Sequence, residues 1–169
     1  MVKSNKYFSD KQESTIAGYL GWSQITGSGS RPFAPGDLKE YQWLGECKTH
    51  TTERANIVFM KCHWFKIREE ARAKCRYPVL FVDNGTQRKE NTWVMTYIRL
   101  FSPETLNIID GLKNTSTKGN SLTFNMEDAD ALYQQNTKEG KFGVFKINWD
   151  TELAVMPLST FRDFVEENF

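Results

Sequence analysis

Asp37, Glu46 and Lys48 are the residues of this chain whose types and spacing best suit chemistry. Residues 44–48 alternate as a strand, which puts Glu46 and Lys48 on one face and Gly45 and Cys47 on the other. Asp37 opens the strand before it, and pairing of the two strands can bring its carboxylate beside that of Glu46. Two adjacent carboxylates repel unless a divalent cation sits between them. A lysine two residues beyond one of them then lies against the ion's outer shell, where it can hold or polarise a water. A metal, an activated water and a cation near the phosphate are the parts that hydrolyse a phosphodiester.

The elements that must position these residues are legible on either side. Ser9 and Gln12 form a capping box that opens a helix to about Leu20, stopped by Gly21. Its apolar face carries Ile16, Ala17 and Leu20, and Glu13 falls on that face too. A carboxylate there either belongs to a site or reaches water at the stripe's edge. Residues 22–26 read as a strand and 27–36 as a Gly-, Ser- and Pro-rich loop. Residues 38–41 and 42–48 read as hairpin-like strands, and 49–56 as a polar loop. A helix from about Lys61 carries Trp64, Ile67, Ala71 and Cys75 at helical spacing. Strands follow at 78–82 and 92–101, the first ended by an Asp83-Asn84-Gly85 turn. Further on, the pattern predicts a short helix from Ser102 to about Ile109 and a mobile polar tract over 112–120. It then predicts strands at 122–126, 142–147 and 153–156, and a final helix over 160–167 capped by Ser159.

Taken in order, Glu13 on a helix, Ser28-Gly29-Ser30, Asp37, Glu46 and Lys48, a basic helix and an apolar strand resemble the PD-(D/E)xK nuclease superfamily. The fuller pattern is similar to its archaeal and phage Holliday junction resolvases, over about residues 8–100. Gly36 stands where that motif usually has Pro, with Pro35 one residue earlier. The resemblance implies that Asp37, Glu46 and the Cys47 carbonyl bind Mg²⁺ (or Mn²⁺), with Glu13 completing the site. It implies that Lys48 orients or deprotonates the water, that Ser28 or else Ser30 meets the scissile phosphate, and that Arg31 meets a backbone phosphate. The implied fold is α/β: a restriction-endonuclease-like central mixed sheet of about five strands, flanked by helices. Residues 1–101 form the core, with 102–169 as an acidic C-terminal α+β elaboration packed on it, a single domain overall.

Charge is uneven beneath a net of +1: residues 1–100 hold 16 Lys/Arg against 10 Asp/Glu, and residues 101–169 hold 6 against 11. The basic part permits a polyanion partner. On the basic helix Lys61, Lys66 and Arg72 are candidate DNA phosphate contacts, with a solvated face as the alternative. His50, just past Lys48, could touch substrate. Three cysteines without a CxxC pair suggest neither a disulfide framework nor a zinc knuckle. No apolar run suits a membrane span and no leader-like segment opens the chain, so a cytoplasmic protein is expected, and the resemblance to resolvases implies a phage or prokaryotic source. A GxSxG elbow and a P-loop are also missing. Three functions stay open: a homodimeric nuclease of branched DNA, a restriction, nicking or repair nuclease of the same superfamily, and a non-catalytic nucleic-acid-binding module. Symmetric cutting of a junction needs two sites, hence the dimer.

Overall fold

The computed structural model describes residues 1–27 and 34–169. It is α/β, with one mixed sheet flanked by helices. Helix α1 (Asn5–Leu20) begins earlier than the capping box predicts: Ser4, not Ser9, caps it, its hydroxyl accepting from the Tyr7 N–H at 3.3 Å. Gly21 ends it in the left-handed conformation, as expected of a C-cap glycine.

Strands β1 (Ser23–Gln24), β2 (Leu38–Lys39) and β3 (Trp43–Lys48) form an antiparallel edge. A strand, β4 (Asn56–Met60), and helix α2 (Lys61–Ala73) lead to β5 (Tyr77–Asp83), which runs parallel to β3 with Trp43 opposite Tyr77 and Lys48 opposite Val82. Strand β6 (Thr92–Tyr97) pairs antiparallel with β5 and gives way to a 3₁₀ turn at Ile98–Leu100, so it is shorter than the 92–101 expected.

Beyond residue 101 the predicted short helix is absent. A turn and strand β7 (Leu106–Ile108) take its place, because Leu106 and Ile108 pair with β9 (Phe142–Asn148). Strand β8 (Ser121–Asn125) pairs with β4 as a separate ribbon. Helix α3 (Met126–Asn136), which hydrophobic patterning does not predict, is capped by the Asn125 side chain on the Asp128 N–H. The tract expected to be mobile is tied to β8 by Asn114, whose side-chain carbonyl accepts from the Thr123 N–H. Strand β10 (Glu152–Pro157) is followed by α4 (Leu158–Asn168), which starts two residues before its predicted start and is preceded by Pro157 rather than capped by Ser159.

The large sheet has the order β1-β2-β3-β5-β6-β10-β9-β7, eight strands rather than about five. The acidic part does not pack around a finished sheet: β10 lies against β6 and continues it. Strand alternation divides two cores. Leu44, Leu80, Val82 and Trp93 pack with Trp64, Ile67 and Ala71 of α2 and with the β4–β8 ribbon. Trp43, Cys47, Val79 and Phe81 pack on the other face with Ile16 of α1 and Phe161 of α4. Both faces are covered, so the central strands read as nearly unbroken apolar runs. Among the described residues no helix is long and apolar enough to cross a membrane.

Candidate functional site

The C-terminal end of β3 carries the candidate residues Glu46 and Lys48. Leu44 lies in the core on the α2 face, and alternation sends Glu46 the same way, while Cys47 faces α1. Asp37 grips the backbone on either side of Glu46. Its own N–H donates to the Gly45 carbonyl at 2.8 Å, and its carboxylate accepts from the Cys47 N–H at 2.8 Å. Gly36 makes this approach possible at φ +76°, a conformation closed to proline. This turn therefore requires a glycine at residue 36. A Cβ at Gly36 would also come within 2.9 Å of the Leu44 side chain.

Asp37, Cys47 and Lys48 line a cavity of about 690 Å³ together with Glu13, Asp10 and Lys6 of α1. Burial first, then the Asp37 carboxylate, pushes the Glu13 carboxyl up to about 7, with Asp10 and Glu46 adding to the effect. Glu13 is thus a half-buried carboxyl on the cavity wall and not a charge fully in water. Burial, then Asp37, Glu13 and Glu46, raise the Cys47 thiol well above its ordinary value, so the sulfur stays protonated. Only its backbone carbonyl is a useful donor.

Glu46 is 3% exposed and held on two sides. Lys48 Nζ sits 2.7 Å from its Oε1, and Lys66 Nζ, from α2, 3.3 Å from its Oε2. Lys66 also approaches Glu70 at 3.4 Å, and Glu70 accepts the Gly36 N–H at 3.1 Å. Burial works against the Lys66 ammonium, but Glu46 and Glu70 outweigh it and keep its pKa above the ordinary value. Lys66 is therefore part of the carboxylate cluster.

The other predicted residues that are described lie apart from this cavity's lining. Ser28, Ser30 and Arg31 lie outside the described residues. Lys61 reaches over the Trp149 ring at 5.8 Å. His50 is half-buried, and the pKa of its imidazole is lowered by burial and by Arg54, with no part played by the site carboxylates. His63 is different: burial and then Lys48 lower its pKa while Glu46 opposes, which places it in the field of the site. Arg72 lines another cavity, with Arg68, Arg76 and Arg99.

Two further residues escape a sequence reading. Gln12, 1% exposed, donates from Nε2 to the Lys48 carbonyl at 2.7 Å and so pins the end of β3 to α1. An amide four residues before Ile16 on an apolar face is the signal that could have found it. Asp83, fully buried, holds the following loop: its Oδ1 accepts from Thr49 Oγ1 and from the Gly85 N–H, both at 2.6 Å. Burial raises the Asp83 pKa even against these hydrogen bonds.

Among the described residues, no three His, Cys, Asp or Glu side chains converge to cage an ion. The donors suit an open site instead. Asp37, Glu13 and the Cys47 carbonyl are hard oxygen ligands, and Mg²⁺ is commonly held by one or two carboxylates while keeping its waters. The Glu13 carboxyl is raised first by burial and then by Asp37, and a cation near both carboxylates would oppose the second effect. Glu46 can join that set only by giving up its lysines. The family models, the curated proteins and the solved structures contain no match to this chain.

Proposed function

We propose that this protein is a metal-dependent DNA endonuclease with a restriction-endonuclease-like PD-(D/E)xK core, cutting four-way junctions in recombination or repair as a homodimer. The observation that carries this reading is the placement of Asp37. Its carboxylate is bonded to the Cys47 amide, between Glu46 and Lys48 in sequence, and opens with Glu13 onto one cavity.

In this reading Asp37, Glu13 and the Cys47 carbonyl would hold Mg²⁺, or Mn²⁺ in its place, and Glu46 would join them only if its ion pairs opened. A bound Mg²⁺ offsets charge developing on the phosphate and makes a coordinated water more acidic. Lys48 would orient that water, or take its proton once it has given up its own to solvent, and Gln12 fixes the backbone from which Lys48 projects. Lys66, released from Glu46, turns to a backbone phosphate, so that one ammonium serves the empty and the loaded site in turn. Ser28, Ser30 and Arg31 remain the proposed phosphate contacts of the loop.

One observation favours a second reading, a non-catalytic nucleic-acid-binding module. Two ammonium groups already neutralise Glu46 without any ion. Cleavage of a labelled four-way junction and of a linear duplex, with Mg²⁺ and with EDTA, separates these readings. Wild type should give paired symmetric nicks in the junction only with Mg²⁺. Asp37→Asn should cut at least ~100-fold more slowly while binding as well or better, since it removes a ligand and a repulsive charge. Cutting of the linear duplex as well would make this a nuclease of broader use. Tight binding with no cutting of either substrate would leave the binding module.

A further inference from the structure

The sheet that carries Asp37 and Lys48 at one end has a second charged end. There the C-terminal turn of α2, the start of β5 and the 3₁₀ turn after β6 enclose a cleft of about 630 Å³, lined by Arg68, Arg72, Arg76 and Arg99. Glu69 is the one acid in its lining and pairs with Arg68 at 3.4 Å. Arg72, Arg76 and Arg99 make no ion pair among the described residues.

Four guanidinium groups in one cleft repel each other, and one carboxylate offsets only part of that charge. Two of the groups are nonetheless held in place. The Arg99 guanidinium stacks 4.0 Å from the centroid of the Tyr97 ring, and that of Arg68 lies 4.6 Å from the Phe65 centroid. Such stacking removes much of the side-chain entropy that binding would otherwise cost. Guanidinium forks fixed in advance match phosphate oxygens in pairs.

We infer that this arginine cleft is a second contact site for a phosphodiester backbone, separate from the site at Asp37. The register places Tyr77 opposite Trp43 at the cleft end and Val82 opposite Lys48 at the other. Five residues of strand put the two ends ~17 Å apart. Helix α2 serves both: Lys66 meets Glu46 at one end, and Arg68 and Arg72 line the cleft at the other. A branched substrate supplies two stretches of backbone at such a separation. The choice of a phosphodiester over other polyanions rests on the nuclease reading; the concentration of unpaired guanidinium groups does not. A carboxylate-rich face of a second copy is the competing occupant.

The test is DNA binding by anisotropy in EDTA over a series of salt concentrations, with a labelled four-way junction and the full-length protein. For Arg72→Ala/Arg99→Ala, the slope of log Kobs against log salt should flatten by about 1.8, at about 0.9 for each phosphate that the protein no longer neutralises. The fall in affinity should be greatest at low salt. Arg72→Lys/Arg99→Lys should keep the slope, since the charge remains, and thereby show that the Ala variant is not simply misfolded. An unchanged slope and affinity for the Ala variant would overturn the inference. So would an unchanged slope with a shift in sedimentation from dimer to monomer, which would assign the cleft to a protein interface. Because EDTA removes metal from this assay, failure of wild type to cut DNA in the separate Mg²⁺ assay would sink the nuclease reading without touching this result.

Discussion

Glu13 is the carboxylate whose behaviour differs most from that of one in water. Its carboxyl titrates at about 7 in the folded protein against an ordinary 4.5. Between those values the folded state holds more proton than the unfolded chain, so this group's contribution to stability falls as pH rises through that window. In EDTA, Glu13→Gln should therefore melt at a higher temperature than wild type at pH 8, and the advantage should vanish near pH 4.5. A constant difference across that range would mean that the carboxyl is not perturbed. The alternation of β3 made Glu46 and Lys48 legible in the sequence, and the apolar stripe of α1 made Glu13 legible. Lys66, His63 and Gln12 were not recognisable as neighbours of Glu46 and Lys48, because they come from two helices whose packing angle no local pattern encodes.

At the scale of elements, turns fixed by glycine decide where the site's strands begin and end. Gly85, at φ +94°, sits so close to the loop after β3 that a Cβ would lie 2.0 Å from the Thr52 carbonyl oxygen. Gly85→Ala should thus cost about 3 kcal/mol, from backbone strain and overlap together. Denaturant unfolding would measure it, and a cost below about 0.5 kcal/mol would refute the close packing of that loop. The Asp83-Asn84-Gly85 turn was plain in the sequence, since its residue types require it. The segment from 102 to 109 was not: Ser-Pro-Glu is a good helix opening, yet β9 offers an unpaired edge that Leu106 and Ile108 fill. Here tertiary pairing outweighs local preference. Helix α3 did leave signals, an Asn cap followed by Glu127 and Asp128 in the first turn, but its weak apolar stripe hid them.

For the whole molecule, the join between the basic and acidic parts matters most. Strand β10 pairs with β6 over residues Leu153 to Pro157, and Phe145 stacks on Trp93 across the same face. A chain ending at residue 101 would leave β6 with an open apolar edge and Trp93 uncovered. We expect that fragment to lack cooperative unfolding and dispersed amide resonances. A sharp melting transition for residues 1–101 alone would show that the first part is a domain in its own right. The charge division between the two parts was visible in the sequence, but the shared sheet was not, because pairing between residues more than fifty apart leaves no local trace.

That pairing also sets a clock during synthesis. The β6 edge, Thr92–Tyr97, leaves the ribosome before its partner exists, and 56 residues separate Tyr97 from Leu153, which it faces. At cellular elongation rates the gap lasts roughly 3–11 s, long beside the folding time of a small domain. Through that interval the nascent chain carries every side chain of the Asp37 site but an incomplete sheet beneath it. A chain stopped before β10 thus has the residues around Asp37 without the completed sheet that holds them.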